Sequence, residues 1–237
     1  MRVIIPQLFT AGNLFCGFLA LHYAFKGSYV PAAWLVFLGA VLDKMDGKIA
    51  RVMGKDSLFG IQFDSIVDIC TFGFVPAVII YQGYLSSSWG LALAFAFVLC
   101  GAIRLARFNT ISINSEDKEE DYYLGLPIPT AAICLTQFIV FETAFEETLP
   151  MAYTTNAAAV LALFLAFLMI SRLDYDSVPN FRGTSFADRF KQLFFVVAIV
   201  LVLYESAYFF PVTIIYICSG VYRWIVGVFS NEVTQHA

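Results

Sequence analysis

The chain has 237 residues, of which 60% are hydrophobic and 14% are charged, with a mean hydropathy of +0.78 and a formal net charge of −4. A soluble domain needs a polar surface around its core, and this composition is too apolar to supply one. Lysine and arginine are not in excess over aspartate and glutamate, so the composition does not predict a nucleic-acid-binding surface. We therefore predict an integral membrane protein.

Eight apolar stretches are candidates for membrane-spanning helices, each of which requires about 20 residues. In chain order they cover residues 8–25, 29–53, 60–85, 89–107, 126–141, 152–171, 192–209 and 212–228. This pattern predicts an all-α, polytopic helical bundle that forms a single membrane domain over residues 1–237. Within it we expect a catalytic core over about residues 1–172 and an additional helical pair over about residues 190–230.

The distribution of basic residues predicts the orientation, because cytoplasmic loops are enriched in lysine and arginine. With the N-terminus in the cytosol, Lys26 is the only lysine or arginine left outside. The acidic segment that contains Glu142, Glu146 and Glu147 also falls outside, as this rule requires. Eight spans return the C-terminus to the cytosol, and the predicted location is the cytoplasmic membrane.

The second and third predicted spans carry a polar motif, Asp43-x2-Asp46-Gly47-x2-Ala50-Arg51-x8-Gly60-x3-Asp64-x3-Asp68. The carboxylates stand three or four residues apart within each helix, and this spacing turns them onto one face. A short connection makes the two helices antiparallel neighbours, so the two faces converge. The apolar part of the second span ends at Leu42, and that of the third begins near Ile66. The motif therefore lies at one membrane face, and the orientation above makes that face cytosolic.

Four carboxylates in a partly apolar pocket repel one another unless a cation neutralises them. Oxygen ligands without histidine or cysteine favour Mg²⁺ or Mn²⁺, with Ca²⁺ as an alternative, and four carboxylates suit two ions. Two metals can neutralise a phosphoryl group and activate an attacking hydroxyl. Gly47, Ala50 and Gly60 leave room for a ligand, and Arg51 can pair with a phosphate.

In residue and spacing, the motif resembles the complete signature of the CDP-alcohol phosphotransferase family. The resemblance implies an integral membrane enzyme that transfers a phosphatidyl or related group from a CDP-linked donor to an alcohol and releases CMP. It also implies a homodimer and a general base, Asp68. The implied metal ligands are Asp43, Asp46, Asp64 and Asp68, and the implied CDP-site residues are Asp43, Gly47, Ala50, Arg51 and Gly60.

Three further segments resemble the membrane-integral phosphatidylserine synthases of bacteria and archaea: IPQLFTAGNLFCG at residues 5–17, RLARFN at 104–109 and GLPIP at 125–129. The resemblance implies CDP-diacylglycerol and L-serine as substrates. The usual Pro-Asn pair reads Pro-Gln at the start of the first segment, so Asn13 becomes the candidate for a nucleotide contact. Serine carries a carboxylate, so its pocket should contain a cation. The predicted acceptor-binding residues are Arg104, Arg107 and Asn109.

Other functions remain open at this point. The same transfer to glycerol 3-phosphate or an inositol phosphate would call for a denser basic cluster than Arg104 and Arg107. These arginines could instead anchor the protein to lipid phosphates, and the aspartates could be interfacial charges paired with Lys44 and Lys48. A cation transporter also uses intramembrane aspartates, but it predicts acids near the bilayer midplane and broken helices.

Overall fold

The computed structural model describes residues 4–53, 58–114, 123–145, 151–171, 173–175, 197, 201–202 and 204–235. Its α-helices within these residues are α1 (Ile4–Phe25), α2 (Tyr29–Met53), α3 (Leu58–Asp68), α4 (Val75–Gly83), α5 (Ser88–Asn114), α6 (Ile128–Ala144), α7 (Met151–Ile170) and α8 (Phe209–Gln235). A π-helical segment, Ile69–Phe74, joins α3 to α4, and a short 3-10 helix, Ser206–Tyr208, precedes α8. The helical bundle predicted from the sequence is confirmed.

Four helical stretches in the described part of the chain are long and apolar enough to cross a membrane: Gln7–Phe25, Phe59–Gly83, Ser88–Thr110 and Tyr153–Ile170. Helix α6 is apolar but shorter, at 17 residues. Helix α2 has the predicted bounds, although charged residues occupy its second half. The predicted seventh span, 192–209, lies largely outside the described residues, so the total of eight spans stays a prediction.

The third predicted span is not one continuous α-helix. The backbone changes to a π-helix immediately after Asp68 and returns to an α-helix at Val75. Thr71, Phe72 and Gly73 are buried within this segment. Short π-helical insertions are frequent at functional sites, because the extra residue per turn redirects the side chains that precede it. The sequence pattern predicted one uninterrupted helix here, although Pro76 lies two residues after the segment.

Small residues let α1, α2 and the π-helical segment approach one another closely. A Cβ added at Gly17 would lie 2.8 Å from Thr71 Oγ1, and one added at Gly39 would lie 2.8 Å from Asn13 Oδ1. Such contacts leave no space for a larger side chain. Small residues at helix crossings are typical of membrane bundles, where van der Waals packing holds helices together. Side chains of α1 therefore lie directly against the helices that carry the aspartates.

A polar contact at the end of α7 fixes the loop that leads into α6. Two short antiparallel strands, β1 (Tyr123–Leu124) and β2 (Asp174–Tyr175), lie here, and they were not predicted. The Gly125 N–H donates to the carbonyl of Leu173 at 2.9 Å, and the Arg107 guanidinium donates to the carbonyls of Met169, Ile170 and Ser171 at 3.1 to 3.4 Å. These bonds satisfy carbonyls at the C-terminus of α7 that have no partner within the helix.

Gly125 is expected to be one of the least replaceable glycines of this fold. Its φ is +80°, and an added Cβ would lie 2.5 Å from the Met169 carbonyl oxygen. Gly27 also has a positive φ, +74°, but an added Cβ there would meet no described atom within 4 Å. We expect Gly27→Ala to cost about 1 kcal/mol of stability from the backbone alone, and Gly125→Ala about 3 kcal/mol once the overlap is added.

Thermal unfolding in detergent measures this difference, with Gly27→Ala as the matched control for the backbone conformation. Equal shifts of the two unfolding midpoints would show that the loop at Gly125 moves away from α7 without cost, and would contradict the tight contact.

Aromatic side chains hold the start of α8 against the bundle. The Phe209 ring lies 6.2 Å from Trp34 and 5.0 Å from Phe37 of α2, centroid to centroid. The Phe210 ring contacts Phe138 and Phe141 of α6 at 5.4 and 5.5 Å. Edge-to-face and offset contacts at these distances are favourable beyond simple area burial. The start of α8 is therefore packed onto α2 and α6.

Candidate active site

Three aspartates from two neighbouring helices converge at one point. Carboxylate oxygens of Asp43 on α2 and of Asp64 and Asp68 on α3 all lie within 4.8 Å of one another. This is the convergence that the spacing of three and four residues predicted for the two helices. Asp68 is the last residue of α3, directly before the π-helical segment.

Asp46, the fourth aspartate of the motif, is held by a contact with α1. The Thr10 hydroxyl donates to Asp46 Oδ2 at 2.8 Å, and both residues are buried. Asp46 is not one of the three aspartates whose oxygens converge within 4.8 Å. The structure therefore places Asp46 beside the cluster, with its carboxylate oriented by Thr10.

The carboxylates lie inside the bundle, and their environment fits a divalent cation. Asp46 is 4% exposed and Asp68 8%, whereas Lys44 and Lys48 on the same helix are exposed. One carboxylate oxygen each of Asp64 and Asp68 is buried and has no hydrogen-bond partner among the described residues. Closely spaced, unpartnered carboxylate oxygens are expensive to bury as anions unless a cation is bound. All-oxygen ligands suit Mg²⁺, Mn²⁺ or Ca²⁺.

Open space lies beside the aspartates on α2. A Cβ added at Gly47 would meet no described atom within 4 Å, and Gly47 itself is half-buried. Gly60 on α3 is half-buried as well. Ala50 and Arg51 belong to the same turn region of α2, but their side chains lie outside the described part of the structure. The structure thus has open space at Gly47, and the role of these small residues in binding a ligand stays a prediction.

Asn13 is fully buried on α1, one turn beyond Thr10. Neither its amide nitrogen nor its amide oxygen has a hydrogen-bond partner among the described residues. Its backbone carbonyl accepts a weak bond from the Thr71 hydroxyl at 3.4 Å. A buried amide with two unsatisfied atoms is unusual, because each such atom costs about 1 to 3 kcal/mol when it is left without a partner.

The three predicted acceptor-binding residues on α5 have different surroundings. Arg104 is 5% exposed, and its guanidinium carbon lies 5.9 Å from the centre of the Phe108 ring. The Arg107 guanidinium is directed to the end of α7, as described above. The Asn109 amide nitrogen donates to the Ser65 hydroxyl at 2.8 Å. Arg104 is the most deeply buried of these three side chains.

Two residues of the site were missed from the sequence. Thr10 orients Asp46, and Ser65 connects α3 to α5 beside Asp64. A signal for Thr10 was present, because Thr10 and Asn13 are polar residues three apart in an otherwise apolar helix, and such spacing puts them on one face. Ser65 had no such signal, since a serine in a membrane helix commonly bonds its own backbone.

Comparison with known proteins shows the family of the chain. Residues 3–168 match the family model described as CDP-alcohol phosphatidyltransferase. The chain is 34% identical to a CDP-diacylglycerol–serine O-phosphatidyltransferase of Helicobacter pylori strain J99, over 94% of this chain and 91% of the relative. It is 31% identical to the Bacillus subtilis strain 168 protein of that name, over 75% and 91%. It is 30% identical to an archaetidylserine synthase of Methanothermobacter thermautotrophicus, over 75% and 72%.

Proposed function

The chain belongs to the CDP-alcohol phosphatidyltransferase family, and on that premise we propose that it transfers a phosphatidyl group from CDP-diacylglycerol to L-serine, forming phosphatidylserine and CMP. The observation that carries this proposal is the convergence of Asp43, Asp64 and Asp68 within 4.8 Å, inside a membrane bundle. The relatives support serine as the acceptor, because serine is part of each of their names, whereas the lipid in the name differs between them.

We assign Asp43, Asp46, Asp64 and Asp68 as the ligands of one or two divalent ions, Mg²⁺ or Mn²⁺, with Ca²⁺ as an alternative. Support comes from the all-oxygen donor set and from the unpartnered buried oxygens of Asp64 and Asp68. When bound, the metal neutralises the diphosphate and lowers the energy of the charged transition state. Thr10 keeps the Asp46 carboxylate turned toward α1, which fixes one edge of the site.

Asp68 is the proposed general base. Its burial at the end of α3 holds the carboxylate in place, and the adjacent π-helical segment restricts the backbone that follows it. It accepts the proton of the serine hydroxyl, the serine oxygen forms a bond to the lipid-side phosphorus, and the bond from that phosphorus to the CMP oxygen breaks. The CMP leaves with the electron pair of that bond, so the serine alkoxide oxygen replaces the phosphate oxygen of CMP at the lipid-side phosphorus.

The CDP half of the donor is proposed to bind along α2 and α1, next to the aspartates. The contributing residues would be Asn13, Asp43, Gly47, Ala50, Arg51 and Gly60. Open space at Gly47 and the unsatisfied amide of Asn13 support this assignment. The two acyl chains would stay in the bilayer and enter between helices.

Arg104 is the proposed ligand of the serine carboxylate. It is a nearly buried cation on α5, and burial strengthens a charge-charge contact with a substrate carboxylate. Arg107 and Asn109 were predicted as further acceptor ligands, but the Arg107 guanidinium donates to the Ile170 carbonyl of α7 and the Asn109 amide donates to Ser65 of α3. The acceptor assignment therefore rests on Arg104.

Replacing Arg104 tests this assignment. We expect Arg104→Gln to raise the KM for serine at least about tenfold with a smaller change in kcat, because a charge-assisted contact is worth about 1.5 to 3 kcal/mol. Arg107→Gln, three residues along the same helix, is the matched comparison and is expected to affect thermal stability more than the KM. A KM that is unchanged in Arg104→Gln would contradict the assignment.

We propose a location in the cytoplasmic membrane with the site and both termini on the cytosolic side. The asymmetric distribution of lysine and arginine supports this orientation, and water-soluble serine and CMP would then exchange with the cytosol. Family resemblance alone supports a homodimer.

The acceptor is tested with purified protein, CDP-diacylglycerol and Mn²⁺ or Mg²⁺, offered serine, glycerol 3-phosphate or inositol phosphate separately. We expect CMP release only with serine. CMP release with a phosphorylated alcohol in place of serine would keep the family assignment and overturn the acceptor. Aspartate-dependent cation uptake into vesicles without CMP release would favour a transporter, the competing class.

A further inference from the structure

A hydrogen-bonded chain links α5 to α3 next to the acidic cluster. The Asn109 amide nitrogen donates to the Ser65 hydroxyl at 2.8 Å, and that hydroxyl donates its own proton to the Ile61 carbonyl at 3.0 Å. A hydroxyl has one proton and two lone pairs, so it can take part in both bonds at once. The direction of the chain, from Asn109 through Ser65 to Ile61, is therefore fixed.

The contact lies at the residue that follows Asp64. Helix α3 has 11 residues and carries Asp64 and Asp68, while Asp43 faces them from α2. Rotation of α3 about its axis would move both of its carboxylates relative to Asp43. Like charges at this spacing favour such a movement, and a lateral bond from α5 opposes it.

From this geometry we infer that Asn109 is a positioning residue that acts through Ser65 to hold Asp64 in register with Asp43, and is not a ligand of the acceptor alcohol. The inference rests on the proposed metal-dependent transfer, because register of the carboxylates matters most when they share a cation. Groups that orient ligands affect metal affinity although they do not touch the metal.

The neighbouring residues on α5 agree with this role. Arg107, two residues earlier, donates to carbonyls of α7, so both Arg107 and Asn109 connect α5 to another helix. Asn109 is half-buried. The C-terminal part of α5 is thus hydrogen-bonded to α7 and to α3, the helix that carries Asp64.

Direct Mn²⁺ binding to the purified full-length protein, measured by the electron paramagnetic resonance signal of free Mn²⁺, tests the inference without relying on turnover. We expect Asn109→Ala and Ser65→Ala each to weaken Mn²⁺ binding about tenfold. Ser65→Thr keeps a hydroxyl and is expected to bind Mn²⁺ as the wild type does. Thr110→Val removes a hydroxyl that donates to Ala106 of its own helix, and is the matched control.

The double variant Asn109→Ala with Ser65→Ala provides a second readout. If both residues act through one bond, the double variant binds Mn²⁺ about as weakly as either single variant. The KM for serine at saturating Mn²⁺ is expected to change less than twofold in all of them.

Three outcomes would overturn the inference. Wild-type Mn²⁺ affinity in both single alanine variants would show that the bond does not position the cluster. A raised KM for serine in Asn109→Ala but not in Ser65→Ala would make Asn109 an acceptor ligand. No Mn²⁺ binding by the wild-type protein would overturn the proposed metal-dependent function, and the inference with it.

Discussion

Asp68→Asn is expected to lower kcat for serine-dependent CMP release by about a thousandfold, within the usual range for loss of a general base. Asparagine has nearly the same shape as aspartate, so the geometry at the end of α3 is kept. It cannot accept the serine proton. Because Asp43 and Asp64 remain, Mn²⁺ binding should persist, with a reduced affinity. The measurement combines CMP release at saturating serine with direct Mn²⁺ binding.

Asp43→Asn is the comparison that separates the two roles of the cluster. Asp43 is a proposed metal ligand without a role in proton transfer. The Asp43→Asn variant is therefore expected to bind Mn²⁺ more weakly and to recover part of its turnover at high Mn²⁺ concentration. Asp68→Asn should not recover in this way. Near-normal turnover of Asp68→Asn with metal bound would show that another group accepts the proton.

Removing divalent metal is expected to abolish CMP release and to lower the thermal stability of the protein. The closely spaced carboxylates of Asp43, Asp64 and Asp68 then repel one another without compensation. Adding Mg²⁺ or Mn²⁺ back at a hundred times its dissociation constant should restore turnover and stabilise the fold by about 2.7 kcal/mol. A chelator titration, followed by activity and by the unfolding midpoint, measures both effects.

Removal of a carboxylate outside the aspartate cluster is the control for a general effect of losing a negative charge. Glu142 accepts a hydrogen bond from Tyr84 at 2.5 Å, and Glu142→Gln should keep the full metal dependence of the wild type. Asp64→Asn should instead reduce the stabilisation by metal. An unfolding midpoint of the wild type that does not respond to Mg²⁺ or Mn²⁺ would contradict a metal held by these aspartates.

The convergence of the aspartates could be predicted from the sequence because it depends on local regularity. Spacings of three and four residues fix a common face of a helix, and a short connection fixes antiparallel neighbours. The spacing is present in both α2 and α3, and Asp43 lies close to Asp64 and Asp68 as the sequence predicted. The membrane class followed equally well, because long apolar helices need no tertiary information to be recognised.

The roles of the α5 residues could not be predicted, because they depend on which helix packs against which. The sequence placed Arg107 and Asn109 near the site and left their partners open. The structure pairs Arg107 with the end of α7 and Asn109 with Ser65 of α3. The contact of Thr10 with Asp46 was missed for the same reason, since it joins residues 36 positions apart on different helices.

The π-helical segment was not predicted from the sequence, for a different reason. Residues 69–74 contain neither a proline nor a charged residue, but Pro76 lies two positions after the segment and has no N–H to donate to the Phe72 carbonyl within it. Close packing of Gly73 against Ile69 and Ile128 surrounds the segment, and such packing is a property of the assembled bundle. An uninterrupted helix was therefore predicted where the chain changes its pitch directly after Asp68.

The most direct test follows phosphatidylserine and CMP together in one reaction. Purified protein would be given CDP-diacylglycerol, radiolabelled serine and Mn²⁺, and sampled over time with and without chelator. We expect one CMP for each labelled phosphatidylserine, no CMP when serine is omitted and neither product when the metal is chelated. CMP release that continues at the same rate without serine, or labelled lipid formed in the presence of chelator, would contradict a metal-dependent transfer to serine at the four aspartates.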